Sequence, residues 1–252
     1  MADPELKDLL AIAEFAAARA GTALKARRQD WSGVESEQGR EVKVDADKRA
    51  EALILETLSK FAPLPILSEE AGWIAGAEGA LSWAVDPLDG SVNYIQGYPH
   101  CAVSIALLRQ GDPVLGVVDC FLLDERFSGI VGGGASLNGR SIRVSDVSDP
   151  LRGVLNTGIP AAARTDPSSM AALAKRITEW RKVRMIGSAA AALAYIAAGR
   201  AEAYRESGSR IWDVAAGCAL VKAAGGIARI DGPSIDAPLE VVAGNGRAPL
   251  PE

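Results

Sequence analysis

Apolar residues recur at helical spacing through Leu6, Leu9, Leu10, Ala13, Phe15 and Ala17, which predicts a long amphipathic helix from about Pro4 to Arg27. A polar loop is expected after it. A second helix follows from about Asp45 to Phe61 on Ala50, Leu53, Ile54 and Leu58, and Pro63 and Pro65 stop it and position a strand. From Cys101 to Val144 the texture becomes strand and turn. Ala102 to Leu108, Val114 to Leu122 and Phe127 to Val131 are set apart by Gly111-Asp112-Pro113 and similar breaks, and Asn138-Gly139 is a hairpin signal before Ile142 and Val144. That predicts an antiparallel meander. Beyond Asp149-Pro150, strands near Val154, Val183 to Ile186, Ala201 to Tyr204, Ile227 to Ile230 and Val241 to Ala243 alternate with helices. One helix carries Met170, Leu173, Ile177 and Trp180. Another is the alanine-rich run from Ser188 to Ala198, whose density of small residues suits close helix packing. The expected organisation is an α+β half over 1–146 and an α/β half over 147–252, packed as one compact unit.

Composition narrows the class. With 48% apolar and 23% charged residues over 252 positions, the chain has the make-up of a soluble globular protein able to bury a substantial core. No apolar run approaches the roughly 20 residues of a membrane-spanning helix, and Asp3, Glu5 and Asp8 are unlike the basic start of a signal peptide. A cytoplasmic protein with no membrane partner is expected. A net charge of −5 argues against a nucleic-acid binder, which needs a basic stripe. Cys101, Cys120 and Cys218 are odd in number and lie in apolar segments, so buried free thiols are expected.

The candidate chemistry is carried by acids. Trp83-Ala84-Val85-Asp86-Pro87-Leu88-Asp89-Gly90-Ser91 is a short apolar run that brings two carboxylates into what reads as a tight Pro/Gly turn. Leu64-Pro65-Ile66-Leu67-Ser68-Glu69-Glu70-Ala71-Gly72 repeats the arrangement upstream. Ile211-Trp212-Asp213-Val214-Ala215-Ala216-Gly217 puts another acid at the start of a small-residue helix, closed by Gly225-Gly226. Oxygen donors of this kind are what a hard cation such as Mg²⁺ takes. Gly90 and Ser91 begin a short helix through Asn93 and Tyr94, whose first N–H groups would face an anion, and Ser91 also reads as a helix N-cap.

With Asp47 at the head of the second helix, these four ordered motifs resemble the inositol monophosphatase family of Mg²⁺-dependent, Li⁺-sensitive phosphatases over nearly the whole chain. The resemblance implies an α+β fold, a layered α-β-α-β-α sandwich of the inositol monophosphatase and fructose-1,6-bisphosphatase type. It implies a homodimer and two or three Mg²⁺ ions, with Mn²⁺ as a substitute. Glu69, Asp86 and the Leu88 carbonyl would hold one ion, and Asp86, Asp89 and Asp213 another, with Glu70 behind them. Glu69 and Ser91 would orient the attacking water, and Asp47 would hold the Ser91 hydroxyl, in a position where the family more often has Thr. Gly90 and Ser91 would receive the phosphate. Asp89, Gly187, Ser188, Ala189 and Glu206 would meet the hydroxyls of the substrate, and Glu206 suits adjacent hydroxyl donors.

The implied reaction is hydrolysis of a small phosphate ester by metal-activated water, with inositol 1-phosphate first. Fructose 1,6-bisphosphate, histidinol phosphate and 3′-phosphoadenosine 5′-phosphate are alternatives on the same scaffold, and a non-catalytic relative acting through partners is the contrasting class. Other hydrolytic schemes fit poorly. His100 is the single histidine, no Gly-x-Ser-x-Gly elbow accompanies it, and it reads as a packing residue; multi-histidine zinc catalysis is excluded by count. A haloacid-dehalogenase arrangement would space its acids two apart, not three. Gly132-Gly133-Gly134 reads as a turn rather than a phosphate loop. Arg184 and Arg210 lie in segments that reach toward the same mouth, for a second anionic group or a subunit neighbour.

Overall fold

The structure, a computed structural model, describes residues 4–38, 41–75, 80–159 and 166–251; Asp3 of the acidic N-terminus lies outside them. Helix α1 (Pro4–Ala26) runs into a short α2 (Arg28–Trp31). The expected polar loop is instead a two-stranded antiparallel ribbon, β1 (Val34–Gln38) with β2 (Glu41–Val44). The sequence there, Val34-Glu35-Ser36-Glu37-Gln38 and Glu41-Val42-Lys43-Val44, has few apolar positions from which to predict a strand pair. Helix α3 (Asp45–Phe61) leads to β3 (Ile66–Ser68), β4 (Gly72–Ile74), β5 (Leu81–Asp89) and the short α4 (Ser91–Gln96). The meander then runs β6 (Ala102–Arg109), β7 (Asp112–Cys120), β8 (Glu125–Ile130), β9 (Gly134–Leu137) and β10 (Arg140–Ile142). Asn138 and Gly139 both take positive φ between β9 and β10, as that hairpin turn requires.

These strands form an eight-stranded sheet in the order β10-β9-β8-β7-β6-β5-β3-β4, antiparallel except where β3 joins β5. A second, five-stranded sheet is built from β11 (Val154–Thr157), β12 (Lys182–Arg184), β13 (Ala203–Ser209), β14 (Ile227–Asp231) and β15 (Leu239–Gly244), in the order β12-β11-β13-β15-β14. Three further helices accompany it, α5 (Pro167–Glu179), α6 (Ala189–Ala197) and α7 (Ile211–Ala223). The sheet is mixed: β11 is parallel to both β12 and β13, and β15 antiparallel to its neighbours.

Strand alternation sorts the side chains into layers. Val103, Ile105 and Leu107 of β6 pack with Trp83 and Val85 against α1 and α3, through Ala13, Ala17, Ala50 and Ile54. Ala102, Ala106 and Leu108 face the other way, onto α6 and α7. The same two helices carry Tyr204, Val241 and Ala243 of the five-stranded sheet on their far side. Leu155, Ala203 and Trp180 cover the last face beside α5. The result is an α-β-α-β-α sandwich. Helices α6 and α7 sit between two sheets and are buried nearly all round, which explains their small residues: a Cβ on Gly116 of β7 would lie 2.3 Å from the Ala216 carbonyl oxygen. On α5 the expected apolar stripe does not bury. Ile177 is exposed, and Trp180, just past the helix end, does the packing instead. The three cysteines are buried free thiols. No helix among the described residues is long and apolar enough to cross a membrane.

Candidate active site

The first acid pair is carried on a bulged strand rather than in a Pro/Gly turn. Asp86 pairs with Ser104 and Asp89 with Ala102, so Pro87 and Leu88 together oppose Val103 alone. Pro87 has no N–H for the ladder, and the extra residue accommodates it. The bulge folds Leu88 N–H back onto Asp86 Oδ1 at 2.9 Å and leaves Asp86 2% exposed. The chain turns only at Gly90, whose φ of 91° and 2.9 Å clearance between a built Cβ and the His100 carbonyl oxygen exclude a side chain.

Gly90, not Ser91, occupies the cap of α4, which corrects the N-cap reading of Ser91. The Ser91 hydroxyl instead lies 3.1 Å from Asp47 Oδ1 and 3.1 Å from the Leu88 carbonyl oxygen. Asp47, buried in the first turn of α3, is itself held by the Val44 N–H, which donates to its Oδ2 at 2.8 Å.

Glu69 leaves the end of β3 with its N–H donating to the Val85 carbonyl at 3.1 Å, beside the bulge. Asp213 lies in the first turn of α7, where its Oδ2 accepts the Arg210 N–H at 2.8 Å. The C-terminal half reaches over through α6. Ser188 caps that helix by accepting the Ala191 N–H and donates its own hydroxyl to Asp89 Oδ2 at 2.6 Å, where the Ala190 N–H also donates at 2.7 Å. Glu206, inside β13 rather than beyond it, accepts the Tyr204 hydroxyl. Glu69, Asp86, Leu88, Asp89, Gly90, Ser91, Gly187, Ser188, Ala189, Glu206 and Asp213 all line one cavity of about 390 Å³.

Several residues stand apart from it. Asp47 is behind Ser91 rather than on the wall, and Glu70 is half-buried outside the lining. Arg184 is exposed with its guanidinium on the Val183 carbonyl, and Arg210 donates to the Asp236 carbonyl at 2.8 Å. Neither lines this cavity. His100 meets Tyr195 edge to face at 6.2 Å between ring centres, a packing contact. Sequence reasoning passed over Asn93, Thr157, Gly158 and Tyr204. Asn93 braces the two halves, its amide donating to the carbonyls of His100 at 2.6 Å and Ile186 at 2.7 Å. Tyr204 was open to detection, since residues two apart on a strand share a face and Glu206 was already singled out.

Burial, then the charges of Glu69, Asp89 and Asp213, push the Asp86 carboxyl well above its ordinary range. Burial, then Glu69 and Asp89, does the same to Asp213. Burial raises Asp89 to about 6 against the opposing hydrogen bonds of Ser188 and Ala190. It raises Glu206 to about 7 against the Tyr204 hydrogen bond. Among the described residues no lysine or arginine lines the cavity. Among the described residues no three His, Cys, Asp or Glu side chains are gathered into a closed ligand cage; the acids stand around the walls. The donor set still suits a hard cation: all oxygens, mutually repelling, with one oxygen each of Asp86, Asp89 and Asp213 already oriented by an N–H.

Comparison with known proteins bears on this arrangement. A sequence model described as the inositol monophosphatase family matches residues 5–245. The Nus factor SuhB of Escherichia coli is 39% identical over 223 residues, covering 87% of this chain and 84% of that protein. An inositol-1-monophosphatase of Mesorhizobium japonicum is 41% identical over 190 residues, covering 74% and 71%. The solved structure of an inositol monophosphatase from Anabaena superposes with a TM-score of 0.85 at 36% identity, over 96% of this chain and 92% of that one.

Proposed function

Because the chain belongs to the inositol monophosphatase family and is a phosphoric monoester hydrolase, we propose that it hydrolyses a small polyol phosphate with Mg²⁺, inositol 1-phosphate first. The observation that carries this reading is the meeting of Glu69, Asp86, Asp89 and Asp213, from three separate stretches of chain, on one cavity with no cationic side chain among the described residues of its wall.

Mg²⁺ ions bound there would supply the water activation and charge neutralisation that ester hydrolysis needs. Glu69, Asp86 and the Leu88 carbonyl would hold one ion, and Asp86, Asp89 and Asp213 a second; Mn²⁺ offers the same preference for oxygen ligands. Asp47 fixes the Ser91 hydroxyl; Ser91 and Glu69 would orient the attacking water, and the Glu69 carboxylate would accept its proton. Gly90 and Ser91 present backbone N–H groups to the phosphate oxygens. Asp89, Gly187, Ser188 and Ala189 bound the polyol, and Glu206, locked by Tyr204, accepts its hydroxyl protons. A cytoplasmic homodimer acting on a free small molecule, without nucleic acid or membrane, completes the reading.

A second reading is favoured by the name Nus factor carried by relatives 39% identical to this chain: a role through a macromolecular partner, in which the acids need not turn over substrate. The deciding experiment is phosphate release from a panel of esters, inositol 1-phosphate, fructose 1,6-bisphosphate, histidinol phosphate and 3′-phosphoadenosine 5′-phosphate, in Mg²⁺ and in EDTA. Metal-dependent release, fastest from inositol 1-phosphate, is expected. No release from any ester would leave the partner reading standing.

A further inference from the structure

Helix α3 supplies Asp47, and one turn further along the same face it carries a second buried carboxylate, Glu51. Glu51 does not line the cavity. It reaches instead to residues 69–71, the turn that joins β3 to β4 where Ser68 pairs with Gly72. Its Oε1 accepts the Ser68 hydroxyl at 2.5 Å and the Ala71 N–H at 3.1 Å, so one oxygen holds the chain on both sides of Glu69. Ser68 is completely buried and shares with Ile66 the side of β3 that packs on α3. The Glu69 N–H adds a third tie, to the Val85 carbonyl at 3.1 Å.

Turns hold their position less firmly than the elements they connect. Here the turn that carries Glu69 is held by a helix. The same helix holds Ser91, through Asp47 Oδ1 at 3.1 Å from its hydroxyl. Residues four apart on a helix stand about 5–6 Å from each other at Cβ, and α3 is itself fixed in the core by Ala46, Ala50, Ile54 and Leu58. We propose that Glu51 is the positioning residue for Glu69, and that with Asp47 it makes one face of α3 the gauge that sets Glu69 and Ser91 relative to each other across the cavity. The inference rests on the phosphomonoesterase reading and deepens it, since Glu69 and Ser91 are the pair that would orient the attacking water and Glu69 would also hold an ion. Both donors meet the same Glu51 oxygen, so the role calls for an acceptor at that place rather than for a charge.

The test is Mg²⁺ titration calorimetry, beside kcat for the ester that wild type hydrolyses fastest, on wild type, Glu51→Leu, Glu51→Gln and Ser68→Ala. Leu and Gln both remove the charge, but the Gln amide oxygen can still accept. Glu51→Leu is expected to weaken Mg²⁺ binding about tenfold and to lower kcat at saturating Mg²⁺ by a similar factor, the effect of losing a group that orients a metal ligand from behind. Glu51→Gln should recover most of both losses. Ser68→Ala, which keeps the charge and removes one of the two bonds, should lie between wild type and Glu51→Leu. Mg²⁺ affinity and kcat within about twofold of wild type in Glu51→Leu would overturn the proposal, even if its melting temperature in EDTA fell, because Glu51 would then only anchor the hairpin. Equal losses in the Leu and Gln variants would overturn it as well, since the effect would follow the charge. Should Glu51→Leu not fold, Ser68→Ala decides: a loss of about threefold in both readouts upholds positioning, and wild-type values overturn it. If wild type neither binds Mg²⁺ nor releases phosphate, the phosphatase reading fails, and positioning is judged by hydrogen exchange in EDTA of the Glu69 amide, which bonds to Val85 rather than to Glu51. Faster exchange in Glu51→Leu, slowed again in Glu51→Gln, upholds it; unchanged exchange overturns it.

Discussion

Asp86 on β5 and Asp119 on β7 belong to the same eight-stranded sheet and are almost equally buried, 2% and 4% exposed, yet their neighbours carry opposite charge. Burial raises both carboxyls above their ordinary range. Around Asp119 the fold supplies an answer: Arg126 Nε lies 3.4 Å away, and Lys25, paired with Asp124, lowers it further. Around Asp86 the neighbours are Glu69, Asp89 and Asp213, which raise it more. A buried charge is tolerated when it is paired. The Asp119 cluster is neutralised within the chain and braces α1 on the sheet; the Asp86 cluster has no cationic side chain beside it among the described residues, and in the function proposed above a cation from solution would answer it.

The largest effect that sharpens the contrast is kinetic. Ser91→Ala keeps every carboxylate but removes the hydroxyl held between Asp47 and the Leu88 carbonyl. We expect kcat to fall on the order of 10²-fold, as for a positioned proton-transfer group, with melting temperature nearly constant because Gly90 rather than Ser91 caps α4. Ser91→Thr should be tolerated. A variant that lost stability but kept kcat would return Ser91 to a structural role.

Next in size is the stability of the self-neutralised cluster. Asp119→Asn leaves Arg126 without its partner; since Arg126 is partly exposed, the cost is discounted from that of a fully buried pair to about 1–2 kcal/mol. That is a fall of roughly 2–8 °C in melting temperature for a chain of this size. Mg²⁺-dependent turnover should stay as it was, and a loss of turnover would show that the two clusters are not independent.

The smallest effect is a pH slope. Glu206 sits at about 7 against an ordinary 4.5. Between those values the folded chain keeps a proton that the unfolded chain has released, so stability falls as pH rises through that window and levels off above it. Melting temperatures in EDTA should fall less steeply between about pH 5 and 7 for Glu206→Gln than for wild type. Identical slopes would mean that Glu206 is not desolvated as described.

How much of this was legible in the sequence follows from the range of the interactions. The long helices and the meander are periodic over many residues, and their faces match the observed layers. Glu69, Asp86, Asp89 and Asp213 were recognisable because each sits in a local signature, a strand end or a helix first turn, that repeats through the chain. The bulge at Pro87 and the cap at Gly90 were misread because a proline and a glycine so close together look like a turn, and only pairing with β6 shows the strand continuing. The contacts that join the halves, Asn93 to Ile186 and Ser188 to Asp89, link residues about a hundred positions apart. No local pattern encodes them.

The central claim, that the Asp86 cluster awaits a cation from outside the chain, is tested most directly by the melting temperature of wild type and Asp86→Asn with EDTA and with Mg²⁺. Wild type should gain several degrees in Mg²⁺, since a ligand at a hundred times its dissociation constant stabilises by about 2.7 kcal/mol. Asp86→Asn, relieved of one buried like charge, should melt higher than wild type in EDTA and lose most of the Mg²⁺ gain. A variant that melted lower in EDTA and kept the full Mg²⁺ gain would contradict the account.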